Sequence, residues 1–260
     1  MDYKYLSGNA FKNLCKYSVG HYTSARDHSF SFKIKKNLNN NFVFIKTEYI
    51  PLFFKLIDLD FKFTIVTHNS DIPIDKNFIP YIANPQVEKW YGQNINLHHP
   101  KLKSIPIGLA NPKWAHGNPE IMELAISKKH WKNKNNLIYC NFDVGTNPPE
   151  RFKCLEKSGI SNATKVPFHQ YLRDMGSSYF ALSPNGNGID CHKHWEALYL
   201  KTIPIVTKSI NMEFYKDFPF LVIDDWDNFK SLRLSKETYK KIWNNFDSKN
   251  LAINNFLPLP

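Results

Sequence analysis

FALSPNGNGIDCHKHWEALYLKTIPIV, residues 180–206, joins two apolar runs through a glycine- and asparagine-rich loop and an amphipathic stretch. Tyr179 to Ser183 has strand composition, and PNGNGIDCHK is rich in turn formers. The spacing predicts a helix from His194 to Leu200 and a second strand from Ile203 to Val206. Strand, loop, helix, strand is the repeating unit of a parallel sheet. In such sheets ligands collect at the carboxyl ends of the strands. Gly186 and Gly188 let the backbone come close to a ligand there. The helix start offers unpaired N–H groups and a positive dipole end, which suit a phosphate. His192 and Lys193 add donors at the same end, and Glu196, three residues beyond Lys193, shares roughly its face. A carboxylate in that place can accept hydrogen bonds from two ribose hydroxyls. The stretch therefore reads as a nucleoside-diphosphate site. The pattern fits equally a tight turn before a helix, with His194 and Glu196 solvated.

Outward from this stretch the second half of the chain keeps the same alternation. Leu137 to Phe142 reads as a strand, GTNPP as a loop, and Glu150 to Ser158 as a helix. A helix over 168–176 follows, then the stretch above. Met212 to Phe218 reads as a short helix, Phe220 to Ile223 as a strand ending in Asp224-Asp225-Trp226, and Ser235 to Phe246 as a capped amphipathic helix. In the first half Asn41 to Lys46 is a strand, and Leu52 to Asp58 a helical turn after Pro51. Phe61 to Val66 is a buried strand feeding the polar loop THNSD, 67–71. Within 81–95, Val87, Trp90 and Tyr91 recur at helical spacing and predict a short helix. Residues 102–111 read as a strand running into a Gly/Asn loop. Pro119 to Lys129 reads as a helix capped by Asn118. Residues 1–40 carry little signal beyond a short helix at Ala10 to Tyr17. The polar stretch Lys128 to Asn136 places a lobe boundary near 132. This makes 1–132 the first lobe, 133–234 the second, and 235–260 a helix and tail with packing back on the first lobe as one option.

Composition narrows the function classes. With 42% hydrophobic residues, 20 Phe, 13 Tyr and 6 Trp, the chain can bury a large core, which excludes intrinsic disorder. The net charge of +11 fits either a field that gathers anions or a general Lys/Asn bias, visible in KKNLNNN and KKHWKNKNN. Cysteines 15, 140, 154 and 191 show no CxxC spacing, so neither a zinc knuckle nor a disulfide framework is expected, and a reducing compartment fits best. No apolar run approaches the roughly 20 residues that span a bilayer. Residues 1–17 lack the apolar centre of a leader. The expectation is a cytoplasmic protein without stable membrane insertion. No helix-turn-helix, zinc or RNA-binding motif accompanies the charge, so no nucleic-acid partner is expected.

PNGNGIDCHKHWEALYLKTIPIV followed by FPFLVIDDW resembles the carboxyl-terminal signature of the exostosin-like glycosyltransferases. It is closest to the branch that includes ribitol-phosphate xylosyltransferase and viral and bacterial exostosin-like enzymes. THNSD and WYGQNI…HPKLKSIPIGLAN resemble that branch too, so the likeness spans roughly 61–230. The resemblance implies an α/β protein of GT-B type, with two Rossmann-like lobes facing across a cleft and the donor on the second lobe. It implies inverting transfer from a nucleotide-sugar donor, a UDP-sugar with xylose as first guess, to a hydroxyl of a glycan acceptor. No cofactor and no divalent metal are expected. By the same resemblance Glu196 holds the donor ribose and Lys193 contacts the pyrophosphate. Asn185, Gly186, Asn187 and Gly188 wrap phosphate and sugar, and Asp190 and His192 line the pocket. Two positions depart from the pattern. Lys193 replaces the usual Arg, keeping charge but losing the bidentate fork. Lys201-Thr202 replaces a Gly-Cys that would close the helix in the left-handed conformation.

Inverting transfer needs a base for the acceptor hydroxyl and donors for the departing diphosphate. Arg151, after GTNPPE, is a phosphate-ligand candidate and equally a surface helix residue. The base is expected from the first lobe, with Asp71 and His68 first, and His98, His99 and His116 as competitors. Asn69 and Asn94 are candidates for sugar hydroxyls, and Asn111 and Trp114 for the acceptor side. Asp224-Asp225 can be read as a metal pair, or as capping the following turn. The alternative reading of the whole is a carbohydrate- or nucleotide-binding protein of the same fold without catalysis.

Overall fold

In the computed structural model, which describes residues 4–20 and 32–258, the chain divides into two compact units. The first comprises residues 1–107 and 251–260, the second 108–250. The sequence boundary near 132 falls inside the second unit, because helix α4 (Pro119–Ser127) packs on α6 (Phe168–Gly176).

The first unit contains α1 (Gly8–Leu14), β1 (Tyr17–Val19), β2 (Phe32–Ile34), β3 (Phe42–Ile45) and α2 (Ile50–Leu56). These are followed by β4 (Phe63–Thr67), α3 (Ile79–Ile82), β5 (Val87–Gly92) and β6 (Leu102–Ser104). Its six strands run in the order β2-β1-β3-β4-β5-β6, and every pairing except β1 with β2 is parallel. All five residues of β4 are buried, as its apolar run requires of an inner strand.

Two sequence expectations fail here. The helix expected around Val87, Trp90 and Tyr91 is strand β5. Its pairing with β4 shifts register between Phe63 and Thr64, so that Val87 faces Phe63 and Lys89 faces Thr64. That irregularity leaves Glu88 and Lys89 exposed side by side and breaks the period-two alternation, which imitates helical spacing. Trp90 is fully buried, and its indole N–H donates to Thr67 Oγ1 at 2.8 Å, fastening β5 to β4. The helix expected over Ala10 to Tyr17 ends at Leu14, and Tyr17 opens β1.

The second unit contains α4, β7 (Asn136–Tyr139), α5 (Pro148–Ser158), α6 and β8 (Ser178–Leu182). It continues with α7 (His192–Tyr199), β9 (Ile203–Thr207), α8 (Ile210–Glu213), β10 (Leu221–Ile223) and α9 (Lys236–Trp243). Its four strands are all parallel, in the order β10-β9-β8-β7. Cys140, Cys154, Phe180, Leu182, Ile203, Ile205 and Trp226 form its buried centre, and Tyr239, Ile242 and Trp243 of α9 pack against it. Helix α9 thus belongs with the second unit, whereas residues 251–258 return to the first. Asp225 caps the 3-10 turn 226–231 by accepting from the Asp227 N–H at 3.0 Å, and binds Lys153. Trp226 donates to Glu150 Oε1 at 2.7 Å. Asp225 and Trp226 therefore hold α5 against the next turn. Among the described residues, no helix is long and apolar enough to cross a membrane.

The end of α7 shows how Lys201 replaces glycine. Lys201 takes φ +56, its N–H donates to Leu198 O at 3.0 Å, and Thr202 N–H donates to Ala197 O at 2.8 Å. This is the paired closure of a Schellman turn. A residue with a Cβ costs about 1–2 kcal/mol in that conformation, partly offset by the ammonium lying 5.3 Å from the Trp131 ring centroid. Lys201→Gly is expected to raise unfolding stability by about 1 kcal/mol, read as a higher urea midpoint at unchanged slope.

Candidate functional site

The carboxyl ends of β7 and β8 carry the loops 140–147 and 183–191, and the two are stitched together. Asn147 Nδ2 donates to Gly186 O at 2.9 Å. Arg151, in the first turn of α5, donates from Nε to Asn185 O at 3.1 Å and from Nη1 to Asp143 O. Its guanidinium also lies 5.4 Å from the Phe142 ring centroid. A Cβ on Gly186 would stand 3.1 Å from Arg151 Nη2 and 3.4 Å from Cys191 Sγ, so glycine is what lets the loop close down on the guanidinium. Arg151 is buried, so it is not a surface helix residue.

The loop is also clasped to α7. Gly186 N–H points at Cys191 Sγ at 3.0 Å, and burial pushes that thiol up to about 12. His194 is fully buried; its Nε2–H donates to Ser183 O at 3.1 Å, and its Nδ1 lies 3.1 Å from Asp190 Oδ1. Trp195 Nε1–H donates to the same Asp190 oxygen at 2.8 Å. Asp190 and His194 therefore shape the loop from within. The solvated His194 and Glu196 of the bland sequence reading do not occur. Asn187 is the exposed tip of the loop, Asn185 is half-buried, and Gly188 is buried.

Helix α7 begins two residues earlier than its periodicity suggested, so His192 and Lys193 lie in its first turn. His192 Nδ1–H donates to Gly108 O at 2.7 Å. The Lys193 ammonium does not reach out over the loop. It donates to Asn141 O and, at 3.5 Å, to Leu182 O, among the rings of Phe142, Tyr171 and Tyr139 at 5.1, 5.6 and 5.8 Å. Burial pushes its pKa down to about 8. Two of its three N–H donors are thus committed to main-chain carbonyls. Glu196, one turn on, is buried and accepts from Tyr171 O–H at 2.9 Å. Burial pushes its carboxyl up to about 7, against the opposing pull of that bond and of the Lys193 charge. Tyr171 itself is held well above the usual phenol range, by burial first and then by Glu196.

Sequence reasoning missed the aromatic surroundings. Phe168 and Tyr171 on α6 are stacked at 5.9 Å and 20°, Tyr171 meets Tyr139 at 5.8 Å, and His116 meets Phe168 at 6.4 Å and His192 at 6.0 Å. The only signal in the chain was the aromatic spacing of three in FHQY, which places both rings on one helix face. Trp114 and Asn111 belong to this unit as well. Asn111 is buried, while Trp114 is 53% exposed and stacks on His116 at 6.3 Å.

The first-unit candidates form a separate polar network at the carboxyl ends of β4 and β5. His68 is buried. Its Nε2–H donates to Pro106 O at 3.0 Å and its Nδ1 accepts from Asn69 N–H at 2.7 Å, so both ring nitrogens are occupied. Asn69 and Asn94 both take positive φ, +61 and +57, which asparagine tolerates. Asn94 Nδ2 donates to Ser70 O at 3.1 Å, and Gln93, overlooked in the sequence, accepts from Asn69 N–H at 2.9 Å. Asp71 stands at the exposed end of this network. His98 is exposed, and His99 Nδ1 accepts from Lys101 N–H at 3.1 Å. No family model matches the chain, and no curated protein matches it.

Proposed function

We propose that the protein is an inverting glycosyltransferase of GT-B type that takes a nucleotide-sugar, a UDP-sugar first and UDP-xylose as the initial candidate, and delivers the sugar to a glycan hydroxyl. The observation that carries this reading is the pairing of the glycine loop 183–191 with a buried acid one turn into the following helix. Backbone N–H groups and the start of α7 suit a diphosphate, and Glu196 suits vicinal ribose hydroxyls. Arg151 supplies fixed positive charge behind the loop, with Lys193 adding charge from below. Developing charge on a departing diphosphate is stabilised best by such preorganised groups. Between the two base candidates Asp71 is favoured, since the ring nitrogens of His68 are already engaged. The motif resemblance supports the same assignment.

Thermal melting against UDP-, GDP- and CMP-sugars tests the donor reading. A rise of several degrees with UDP-sugars, unchanged by EDTA, is the expected result. No rise with any nucleotide sugar at saturation would overturn it. The Lys193 ammonium, turned onto strand-end carbonyls, favours a second reading in which the site binds donor without transfer. Release of UDP in the presence of acceptor glycans separates the two.

A further inference from the structure

The amino ends of the second sheet, opposite the glycine loop, carry a surface that the proposed reaction does not use. Between Glu123 and Asp143 the chain has four lysines and one histidine, and no acid. Leu124 and the C-cap Lys128 lie four apart on one exposed side of α4. Lys129 then turns the chain into a 3-10 turn, His130–Asn133, which leads to the edge strand β7. Lys128, Lys129 and Lys132 are exposed, and so are the side chains of Leu124 and Leu137, with Trp131 half-exposed among them in the chain. A further lysine joins from the end of α7: the Lys201 ammonium lies 5.3 Å from the Trp131 ring centroid. Asp174 on α6 is already paired with Arg173 at 2.9 Å.

The turn is firmly seated. A Cβ on Gly176 would stand 3.4 Å from His130 Cβ, so the turn rests on the end of α6. Beneath it Lys134 donates to Gly176 O at 2.9 Å and to Thr202 Oγ1 at 3.2 Å. Burial, and after it the Lys201 charge, pushes Lys134 down to about 7. Backbone strain singles out the same place. Among the described residues four non-glycines take positive φ: Asn69, Asn94, Lys129 and Lys201, at +61, +57, +51 and +56. Asparagine tolerates that conformation, whereas lysine is strained in it. Glycine would relieve both lysine positions, and all it would remove is the charged side chain. The two strained lysines flank Trp131, one by sequence and one by contact. Strain of this kind persists where the side chain has a use.

We propose that this surface docks on an anionic lipid bilayer, with Lys129, Lys132 and Lys201 at the headgroups and Trp131 and Leu124 at the boundary with the acyl chains. Lysines gather anionic headgroups, and the tryptophan ring suits the border of water and lipid. The exposed leucines decide the class of polyanion. They gain by leaving water for lipid and gain nothing beside the phosphates of a nucleic acid. The docking is peripheral and uses no spanning segment. It leaves the carboxyl-end loops of this unit on the far side, open to their own ligand, and it does not depend on the donor reading.

Sedimentation of the full chain with vesicles tests this. Vesicles of phosphatidylcholine with about one-third phosphatidylserine should carry the protein down at ~0.1 M salt, and pure phosphatidylcholine vesicles should not. The decisive variant is the double substitution Lys129→Gly/Lys201→Gly. It relieves strain at both positions and is expected to melt at higher urea than the wild type, so lost binding could not be laid to misfolding. Two lysines at about fivefold each predict about 25-fold weaker affinity for the mixed vesicles, with any UDP affinity unchanged. Wild-type vesicle affinity in the double variant would overturn the proposal, as would equal binding of the wild type to both kinds of vesicle, or to neither. A salt-sensitive complex with single-stranded RNA, lost in the double variant while vesicles are ignored, would assign the surface to nucleic acid instead.

Discussion

Glu196→Gln is expected to weaken UDP binding more than tenfold and to remove the step in its pH dependence near 7. A carboxylate accepting from two hydroxyls makes charge-assisted bonds, each stronger than a neutral one. Glutamine keeps the shape but offers a single neutral acceptor. Burial pushes the Glu196 carboxyl up to about 7, so UDP affinity in the wild type should rise with pH through that point, as the acceptor form fills. In the variant that step should be absent, leaving the parts of the profile set by the UDP phosphate and Lys193. The same group fixes a stability signature. Its folded pKa lies above the ordinary value of 4.5, so its contribution is fully present below about 4.5 and is lost as pH rises through about 7. Lys193 is shifted the other way, down to about 8, so its contribution is lost as pH falls from above 10.5 through about 8. Together they place a minimum in unliganded stability between about 7 and 8. Urea melts at pH 5 and pH 7.5 read the acid limb. The wild type should lose on the order of 3 kcal/mol more than Glu196→Gln over that range. Equal slopes in the two proteins, with unchanged UDP affinity, would remove Glu196 from the site.

That site was half legible in the sequence. The strand-loop-helix-strand order over 178–207 could be read because each element is short, apolar and punctuated by glycine or proline, and the structure keeps that order. Arg151 was open between a phosphate ligand and a surface helix residue, and its bonds to the loop carbonyls were not foreseen, since a basic residue in a helix's first turn says nothing about which way it faces. Lys193 illustrates the limit more sharply. The sequence places it at the helix start, beside the loop, but its ammonium is drawn to Asn141 O and Leu182 O by strand ends and rings far off in sequence. His68 is similar: the sequence places it at a strand end, but its contact with the carbonyl of Pro106, far off in sequence, could not be read there. In the first unit, β5 was misread because a register shift against β4 displaced two charged residues to one side. Strands β1 and β2 were missed for lack of length, three residues each being too few to show a period. Local chemistry was readable, then, wherever neighbours in sequence are neighbours in space. Contacts between loops from different strands were not.

Arg151→Met is expected to lower stability by roughly 3 kcal/mol and to abolish nucleotide-dependent thermal stabilisation. Methionine fills much of the same volume and can keep contact with Phe142, so packing loss is small. What disappears is the pair of charged donors to Asn185 O and Asp143 O; Asp143 O keeps the Thr146 N–H at 3.3 Å, while Asn185 O loses the donor that served it. The cost of an abandoned buried acceptor exceeds the mean value of the bond that served it. The glycine loop then keeps its ties to Asn147 and Cys191 and the Asp190–His194 clasp, none of which supplies a charged donor to its centre. Arg151→Lys separates charge from geometry. It restores the field behind the loop but cannot reach both carbonyls as a planar fork, so stability should be intermediate and nucleotide affinity largely lost. Amide hydrogen exchange locates the effect. Protection of Gly186 and its neighbours should fall in Arg151→Met while that of Ala181 and Leu182, within β8, persists. If loop protection stays at the wild-type level while global stability drops, Arg151 is a core residue of α5 only, and the preorganised loop must owe its shape to Cys191 and the Asp190–His194 clasp. The charge that meets a diphosphate would then have to come from Lys193 after it leaves its strand-end carbonyls, which makes donor binding a conformational step rather than a docking onto a finished surface.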